Sequence, residues 1–298
     1  MKNALTIDLE DHYHATAFST NQVSANSTSQ TSRVERNAER LLEILAHTGR
    51  LATFFTVGSV AERFPGLIRT IAAGGHELAC HSYAHRLIFT MSREEFCEDT
   101  RRAKCAIEDA AGILVRGYRA PSFSITNNTQ WAFEVLAKLG FSYDSSIFPI
   151  KHINFDMQTV LRTPFFIATN AGSILEFPMP TLQFLGSRAP LAGGAYLRLL
   201  PYWYTRWGIR YLNRSERHQV CVYLHPWELD PEQPRMKGTL TARMRHYFGL
   251  QGAEEKFRRL LTDFEFGPLG NILDDIKATS LQAPDLALPA IRPGELCS

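Results

Sequence analysis

The chain has 298 residues, 45% hydrophobic and 21% charged, which suits a globular domain with a large core and excludes a disordered chain. Its 32 basic and 30 acidic side chains give a formal charge of +2 without any block of one sign, so no nucleic-acid partner is expected. Cys80, Cys97, Cys105, Cys221 and Cys297 match no CxxC pattern, and neither an N-terminal apolar leader nor a run near the ~20 apolar residues of a membrane span occurs, so a reduced, cytoplasmic setting is expected.

Residues 5–8 form a short apolar run that ends in Asp8-Leu9-Glu10-Asp11-His12-Tyr13-His14. Three carboxylates and two imidazoles this close must be solvated, pair with one another or bind a cation. Residues 19–32, nearly all Ser, Thr, Asn and Gln, read as a polar loop. Ser32 and Glu35 have capping-box spacing for a helix through Ala46, with an apolar stripe at Leu41, Leu42 and Leu45 and a stop at Gly49. A buried strand over 51–57 is broken by Gly58, and a helix over 65–73 follows. Residues 76–80 then read as a short buried strand, and His81-Ser82-Tyr83-Ala84-His85 begins where it stops. Two imidazoles four apart reach one ion if the backbone is helical or turning. Chance alone supplies about 0.3 such pairs here, so the position at a strand end carries the weight, because α/β enzymes keep their chemistry there.

Ser92 with Glu95 opens an Ala-rich helix that runs to Ala111 and stops at Gly112. A strand over 113–118 delivers Arg119-Ala120-Pro121, and a helix over 129–139 leads through 141–143 into Asp144-Ser145-Ser146. Residues 148–169 show no period, and 173–177 read as a strand. Residues 193–212 are aromatic with interleaved Arg, and are open to two readings: an interfacial helix touching a bilayer or lipid-linked substrate, or a helix packed on a barrel. A strand over 220–224 precedes His225-Pro226-Trp227-Glu228, 256–276 look helical or mixed, and 278–298 read as a loose tail. Strands alternating with helices imply a parallel sheet, and each strand ends in a polar cluster.

In sequence order, Thr6-Ile7-Asp8-Leu9-Glu10-Asp11, His81-Ser82-Tyr83-Ala84-His85, Arg119-Ala120-Pro121, Asp144-Ser145-Ser146 and Tyr223-Leu224-His225 resemble the five motifs of the polysaccharide deacetylase (NodB-homology, carbohydrate esterase family 4) family. Residues 193–213, 223–231 and 257–270 are similar to the branch encoded with exosortase-type exopolysaccharide loci. The resemblance implies an α/β fold, an irregular (β/α) barrel in one domain over 1–277 with an elaborated half from about 150. It also implies a metal held by His81, His85 and a carboxylate. Leu9 stands where many relatives carry a second adjacent Asp, so the carboxylate moves to Glu10, which shares a face with Asp8 in an extended chain, or to Asp11.

By the same likeness Asp8 is the general base, Arg119 orients it, His225 is the general acid and Asp144 holds the His225 ring. Trp227, Pro121 and Tyr196 are expected at the substrate. Zn²⁺ is the default ion, and such donor sets also accept Co²⁺, Ni²⁺ or Mn²⁺. The implied activity is hydrolysis of the acetamido group of an N-acetylated amino sugar, in an exopolysaccharide or its lipid-linked precursor. The alternatives are a hydrolase of another amide or cyclic imide and an inactive carbohydrate-binding relative. An N-acetylated saccharide is therefore the expected partner. Contact with a lipid-linked glycan at the inner membrane face is expected through Arg198, Arg206 and Arg210.

Overall fold

The computed structural model describes residues 1–15, 31–152, 155–191, 193–282 and 288–296, so the expected polar loop lies outside the described residues apart from 31 and 32. The chain opens with β1 (Lys2–Leu9), buried from its second residue onward, the burial expected of a strand covered on both faces. Helix α1 (Val34–Thr48) packs Val34, Ala38, Leu41 and Leu45 inward and ends at a left-handed Gly49. The Ser32–Glu35 capping box does not form, because the Ser32 hydroxyl donates instead to Asp11 Oδ2 at 2.5 Å and Arg33 becomes the N-cap. β2 (Thr53–Thr56), α2 (Gly58–Arg63), α3 (Pro65–Ala73) and β3 (Glu77–Cys80) follow. Helix α4 (Arg93–Ala111) has the expected box, with Ser92 N donating to the Glu95 carboxylate at 2.8 Å and Glu95 N to Ser92 Oγ at 3.2 Å.

β4 is only Gly117–Tyr118, shorter than the apolar run predicted, because Leu114 is left in solvent. α5 (Ala132–Lys138), β5 (Tyr143–Asp144), β6 (Lys151–His152), β7 (Phe155–Asp156), β8 (Phe165–Thr169), β9 (Gly172–Glu176), β10 (Thr181–Phe184) and β11 (Ser187–Pro190) come next. The aromatic stretch is two helices, α6 (Gly194–Leu199) and α7 (Tyr202–Arg214), separated at Leu200-Pro201. Then come β12 (Cys221–Leu224), α8 (Leu240–Tyr247), α9 (Ala253–Asp263), β13 (Glu265–Gly267), α10 (Leu269–Gln282) and β14 (Ala290–Ile291). The loose tail is corrected on two counts. α10 runs past residue 278, and β14 pairs with β8, setting Ala290 opposite Phe166.

The main sheet runs β12-β1-β2-β3-β4-β5-β9-β8-β14, with β13 paired to the start of β1. All of its ladders are parallel except β8 with β9. Among the described residues no ladder joins β12 to β14, so by hydrogen bonding the sheet is open. Register decides what meets at its carboxyl end. Ile7 lies opposite Leu224, so Asp8 and His225 emerge level with each other, while Leu9 lies opposite Thr56 and Thr56 opposite Cys80, so His81 emerges level with Glu10, two residues further along. In α/β sheets that edge is where ligands bind. Among the described residues Cys80, Cys97, Cys105 and Cys221 are free thiols, and no helix is long and apolar enough to cross a membrane.

Candidate active site

Alternation along β1 sends Asp8 and Glu10 to the same side, both buried. A carboxylate oxygen of Glu10 and one imidazole nitrogen each of His81 and His85 all lie within 4.8 Å of one another. Glu10 Oε2 comes to 2.6 Å from His85 Nε2 and yet has no partner in hydrogen-bond geometry. A buried carboxylate oxygen that converges with two imidazoles and accepts no proton fits a divalent cation, whose ligands must present lone pairs rather than hydrogens. Burial alone would raise the Glu10 carboxyl, but the charge and proximity of His85, then the charges of His225 and His14, hold it far below the usual carboxylate range. Burial also lowers His81 to about 4, against the opposing pull of Asp8, so it stays neutral. His81 Nδ1 lies 2.8 Å from the Arg119 carbonyl, which only accepts, so the proton sits on Nδ1 and the Nε2 lone pair is left for the centre.

The His81–His85 segment is a turn, not a helix. Ser82 (φ 64°) and His85 (φ 54°) adopt left-handed backbone that side chains avoid. Asp99 holds it there, accepting from Ser82 Oγ at 2.7 Å and Tyr83 N at 2.8 Å, and Gly58 N donates to the Ser82 carbonyl at 2.9 Å. A Cβ at Gly58 would stand 2.7 Å from the Ala103 backbone and 2.8 Å from the Tyr83 ring, so only glycine lets α2 come this close.

Asp11, the alternative carboxylate, is fully engaged elsewhere. Its Oδ1 accepts from His12 N (3.0 Å) and meets His12 Nδ1 (2.7 Å), while Oδ2 accepts from Ser32 Oγ (2.5 Å) and Arg33 N (3.0 Å). Glu10 is the carboxylate that the fold brings to the two histidines.

Asp8 Oδ1 accepts from Arg119 Nη1 at 2.7 Å. Arg119 is wholly buried and spends its other donors on Thr6 Oγ1 (2.9 Å), the Ser145 carbonyl (3.1 Å) and Ser145 Oγ (3.1 Å), and its guanidinium lies 4.1 Å over the Phe55 ring. Such a fork cannot turn away from Asp8. Across the centre, His225 Nε2 stands 3.7 Å from Glu10 Oε1 and 3.9 Å from Asp8 Oδ2. Burial alone would lower the His225 pKa, but the hydrogen bond and charge of Glu228, then Glu10 and Asp8, push it up to about 9. Glu228 Oε2 lies 3.1 Å from His225 Nδ1, and Glu228 Oε1 accepts from Arg198 Nε at 2.6 Å.

The expectation that Asp144 holds this ring is corrected. Asp144 ends β5, five places along the sheet from β12, and accepts from Ser146 N (2.9 Å) and Ser146 Oγ (2.7 Å). Its register partner Glu176 is buried with it, and burial together with the Asp144 charge pushes the Glu176 carboxyl well up, so that one keeps its proton. Arg198, expected to face a phosphate, is corrected too. It is buried and bonds Glu228, the Phe248 carbonyl (2.6 Å) and the Arg245 carbonyl (3.2 Å).

Trp227 braces the centre. Its Nε1 donates to Glu10 Oε1 at 3.2 Å, and its ring stacks on His225 (4.9 Å) and His246 (4.3 Å). Pro121 is buried at the start of a turn in which Ser122 and Phe123 are left-handed. Tyr196 is half-buried and meets Phe148 edge-on at 6.1 Å, in an aromatic group with Phe123 and Tyr223 that borders Arg119 and His225.

Comparison with known proteins bears directly on this arrangement. Residues 10–143 match the family described as polysaccharide deacetylase, and residues 145–274 match a domain of unknown function, DUF3473. The first half carries the polysaccharide deacetylase family signature. Related proteins include a peptidoglycan deacetylase of Helicobacter pylori, 32% identical over 36% of this chain and 36% of that protein. A chitooligosaccharide deacetylase of Sinorhizobium fredii is 37% identical over 27% of this chain and 38% of its own length. The chain thus spans little more than a third of the length of either of these relatives. A solved structure from Mycobacterium smegmatis, assigned to the polysaccharide deacetylases, shares the fold with a TM-score of 0.59, covering 94% of this chain and 92% of that one at 22% identity. The α/β fold with a mainly parallel sheet is that of the polysaccharide deacetylases.

Within that signature lie Glu10, His81, His85 and Arg119, while His225, Trp227, Glu228 and Arg198 come from the DUF3473 segment. Sequence reasoning missed Glu228 and His14 and gave Arg198 a different role. His225-Pro226-Trp227-Glu228 has capping-box spacing with His at the cap, a legible sign that the Glu turns back on the His. His14 packs 5.6 Å from His85, its Nδ1 accepting from Asp11 N, and burial and the His85 charge lower it to about 4. Arg198 gave no local sign.

Proposed function

We propose that this protein is a metal-dependent N-deacetylase that hydrolyses the acetamido group of an N-acetylated amino sugar, in an exopolysaccharide or its lipid-linked precursor. The observation that carries the reading is the convergence of Glu10, His81 and His85, with Asp8 on one side and His225 on the other. A divalent ion held by these three residues, Zn²⁺ by default with Co²⁺, Ni²⁺ or Mn²⁺ as substitutes, supplies Lewis acidity at the acyl group.

Asp8 takes the proton of the attacking water, and Arg119 fixes its carboxylate in place through the 2.7 Å bond. His225, kept protonated by Glu228, delivers a proton to the departing nitrogen. The aromatic group of Tyr196, Phe148, Phe123 and Tyr223 supplies an apolar wall for a sugar ring. The peptidoglycan and chitooligosaccharide deacetylases among the relatives support the reaction class, and the exopolysaccharide substrate rests on the sequence resemblance of residues 193–213, 223–231 and 257–270 alone. The test is metal analysis of the purified protein together with acetate release from a panel of N-acetylhexosamine oligomers. Stoichiometric metal and acetate release are expected, and metal-loaded protein that frees no acetate from any of them would overturn the reading.

A further inference from the structure

The outer faces of α7 and α8 carry apolar side chains into solvent. On α7, Trp203, Trp207 and Tyr211 stand four residues apart on the side opposite the buried Tyr202, Thr205, Ile209 and Leu212, and Trp203 is 67% exposed. Trp207 stacks on Tyr211 at 5.8 Å and on Phe184 of β10 at 6.0 Å, and the fully exposed Leu185 tips that hairpin. On α8 and just beyond it, Leu240, Met244 and Phe248 repeat the same spacing, all exposed, while His246 on the inner side stacks on Trp227. Gly249, directly after exposed Phe248, packs its backbone against the carbonyl of Arg198, directly before exposed Leu199, which brings the end of α8 beside the segment that leads into α7.

Charge accompanies both rows in one sign only. Residues 199–214 hold Arg206, Arg210 and Arg214, and residues 233–249 hold Arg235, Lys237, Arg243 and Arg245, with no Asp or Glu in either segment. Asp263 pairs with Arg206 at 2.9 Å from outside, leaving the balance basic. Exposed Trp, Tyr, Leu and Met edged by Arg and Lys are the composition of a surface that lies in a lipid–water interface, where the rings sit among headgroups and the cations meet anionic lipid. A protein surface meant only for water has no use for it.

We infer that the α7–α8 face docks on an anionic phospholipid bilayer, with the inner side of α8 at the candidate site and its outer side at the membrane. This surface is independent of the deacetylase reading, since binding is measured without substrate. The test is cosedimentation of the full chain with phosphatidylcholine vesicles, with and without phosphatidylglycerol. Binding to the phosphatidylglycerol vesicles alone is expected, weakening as salt rises. Arg210→Gln with Arg214→Gln should lower the partition coefficient about 25-fold, roughly fivefold per lost charge. Trp203→Ala with Trp207→Ala should lower it at least about tenfold, with metal content and circular dichroism as in the parent. No phosphatidylglycerol-dependent binding by the parent, or unchanged binding by both variants, would overturn the inference. So would a concentration-dependent dimer that the Trp substitutions abolish, since the occupant would then be a second copy of the chain. If a variant does not fold, the parent's dependence on lipid charge and salt decides the matter alone.

Discussion

Replacing Glu10 and Asp11 one at a time separates a metal ligand from a structural carboxylate in adjacent residues. Asp11 accepts four close contacts, from His12 N, His12 Nδ1, Ser32 Oγ and Arg33 N, which tie the end of β1 to the start of α1. At about 1 kcal/mol net for each, Asp11→Ala should cost ~3–4 kcal/mol, or a fall in Tm of about 5–10 °C for a chain of this size. Burial raises the Asp11 carboxyl, but the hydrogen bonds of His12 and Ser32 outweigh it and its pKa is lowered on folding. A lowered carboxyl stabilises fully above its unfolded value and loses that contribution as pH falls through the folded one, so the gap between parent and variant should close below pH ~4. Metal stoichiometry should not change. Glu10→Ala should do the reverse, losing the ion while the metal-free melt stays within about 1 kcal/mol of the metal-free parent. Equilibrium dialysis with Zn²⁺ and thermal melts of both metal-free variants read the two effects apart. If Asp11→Ala lost metal with an unchanged melt, or Glu10→Ala kept it, the assignment of the carboxylates would be refuted.

Asp8→Asn should retain metal and lose at least ~10²-fold in kcat, and an inactive variant that also lost the ion would make Asp8 a ligand. Glu228→Gln should destabilise by about 3–5 kcal/mol because it strands the buried Arg198 guanidinium, seen in a denaturant melt. The basic limb of its pH–kcat profile should move to lower pH, since Glu228 is the main group raising His225, and an unmoved limb would remove His225 from the acid role. Gly193→Ala should cost ~2–4 kcal/mol, because Gly193 sits at φ 101° and an added Cβ would fall 2.1 Å from the buried Tyr223 ring, and a parent-like melt would contradict that packing.

What was legible in the sequence was what is decided locally. Apolar runs ending at polar clusters marked most strands of the main sheet, and Ser92 with Glu95 marked the start of α4. Strand alternation alone put Asp8 and Glu10 on one side, and the strand end at Cys80 placed His81 at the sheet's carboxyl edge. What failed depended on contacts distant in sequence. Ser32 had the right spacing to cap α1, but a carboxylate 21 residues earlier claims its hydroxyl. Arg198 looked like one more cation in an amphipathic stretch, and only folding brings Glu228, 30 residues on, against it. Asp144 was matched to His225 by motif, whereas sheet order places them apart. β14 was read as tail because two residues carry no period of their own.

The insertion of β12 beside β1 has a consequence for how such chains can vary. Residues 10–143 and 145–274 are recognisable as separate segments, yet the proposed metal ligands stand on the first, just after the proposed base Asp8, and the proposed acid, with its Glu and Arg, on the other. Exchange of either segment between homologues at residue 144 would leave both halves recognisable. It would also pair β1 with a foreign β12 over Ala4 to Ile7 and present Glu10 with a foreign Trp227. Such an exchange is therefore expected to disturb Glu10 through the contacts it makes across the two segments, with Trp227 at 3.2 Å and His225 at 3.7 Å.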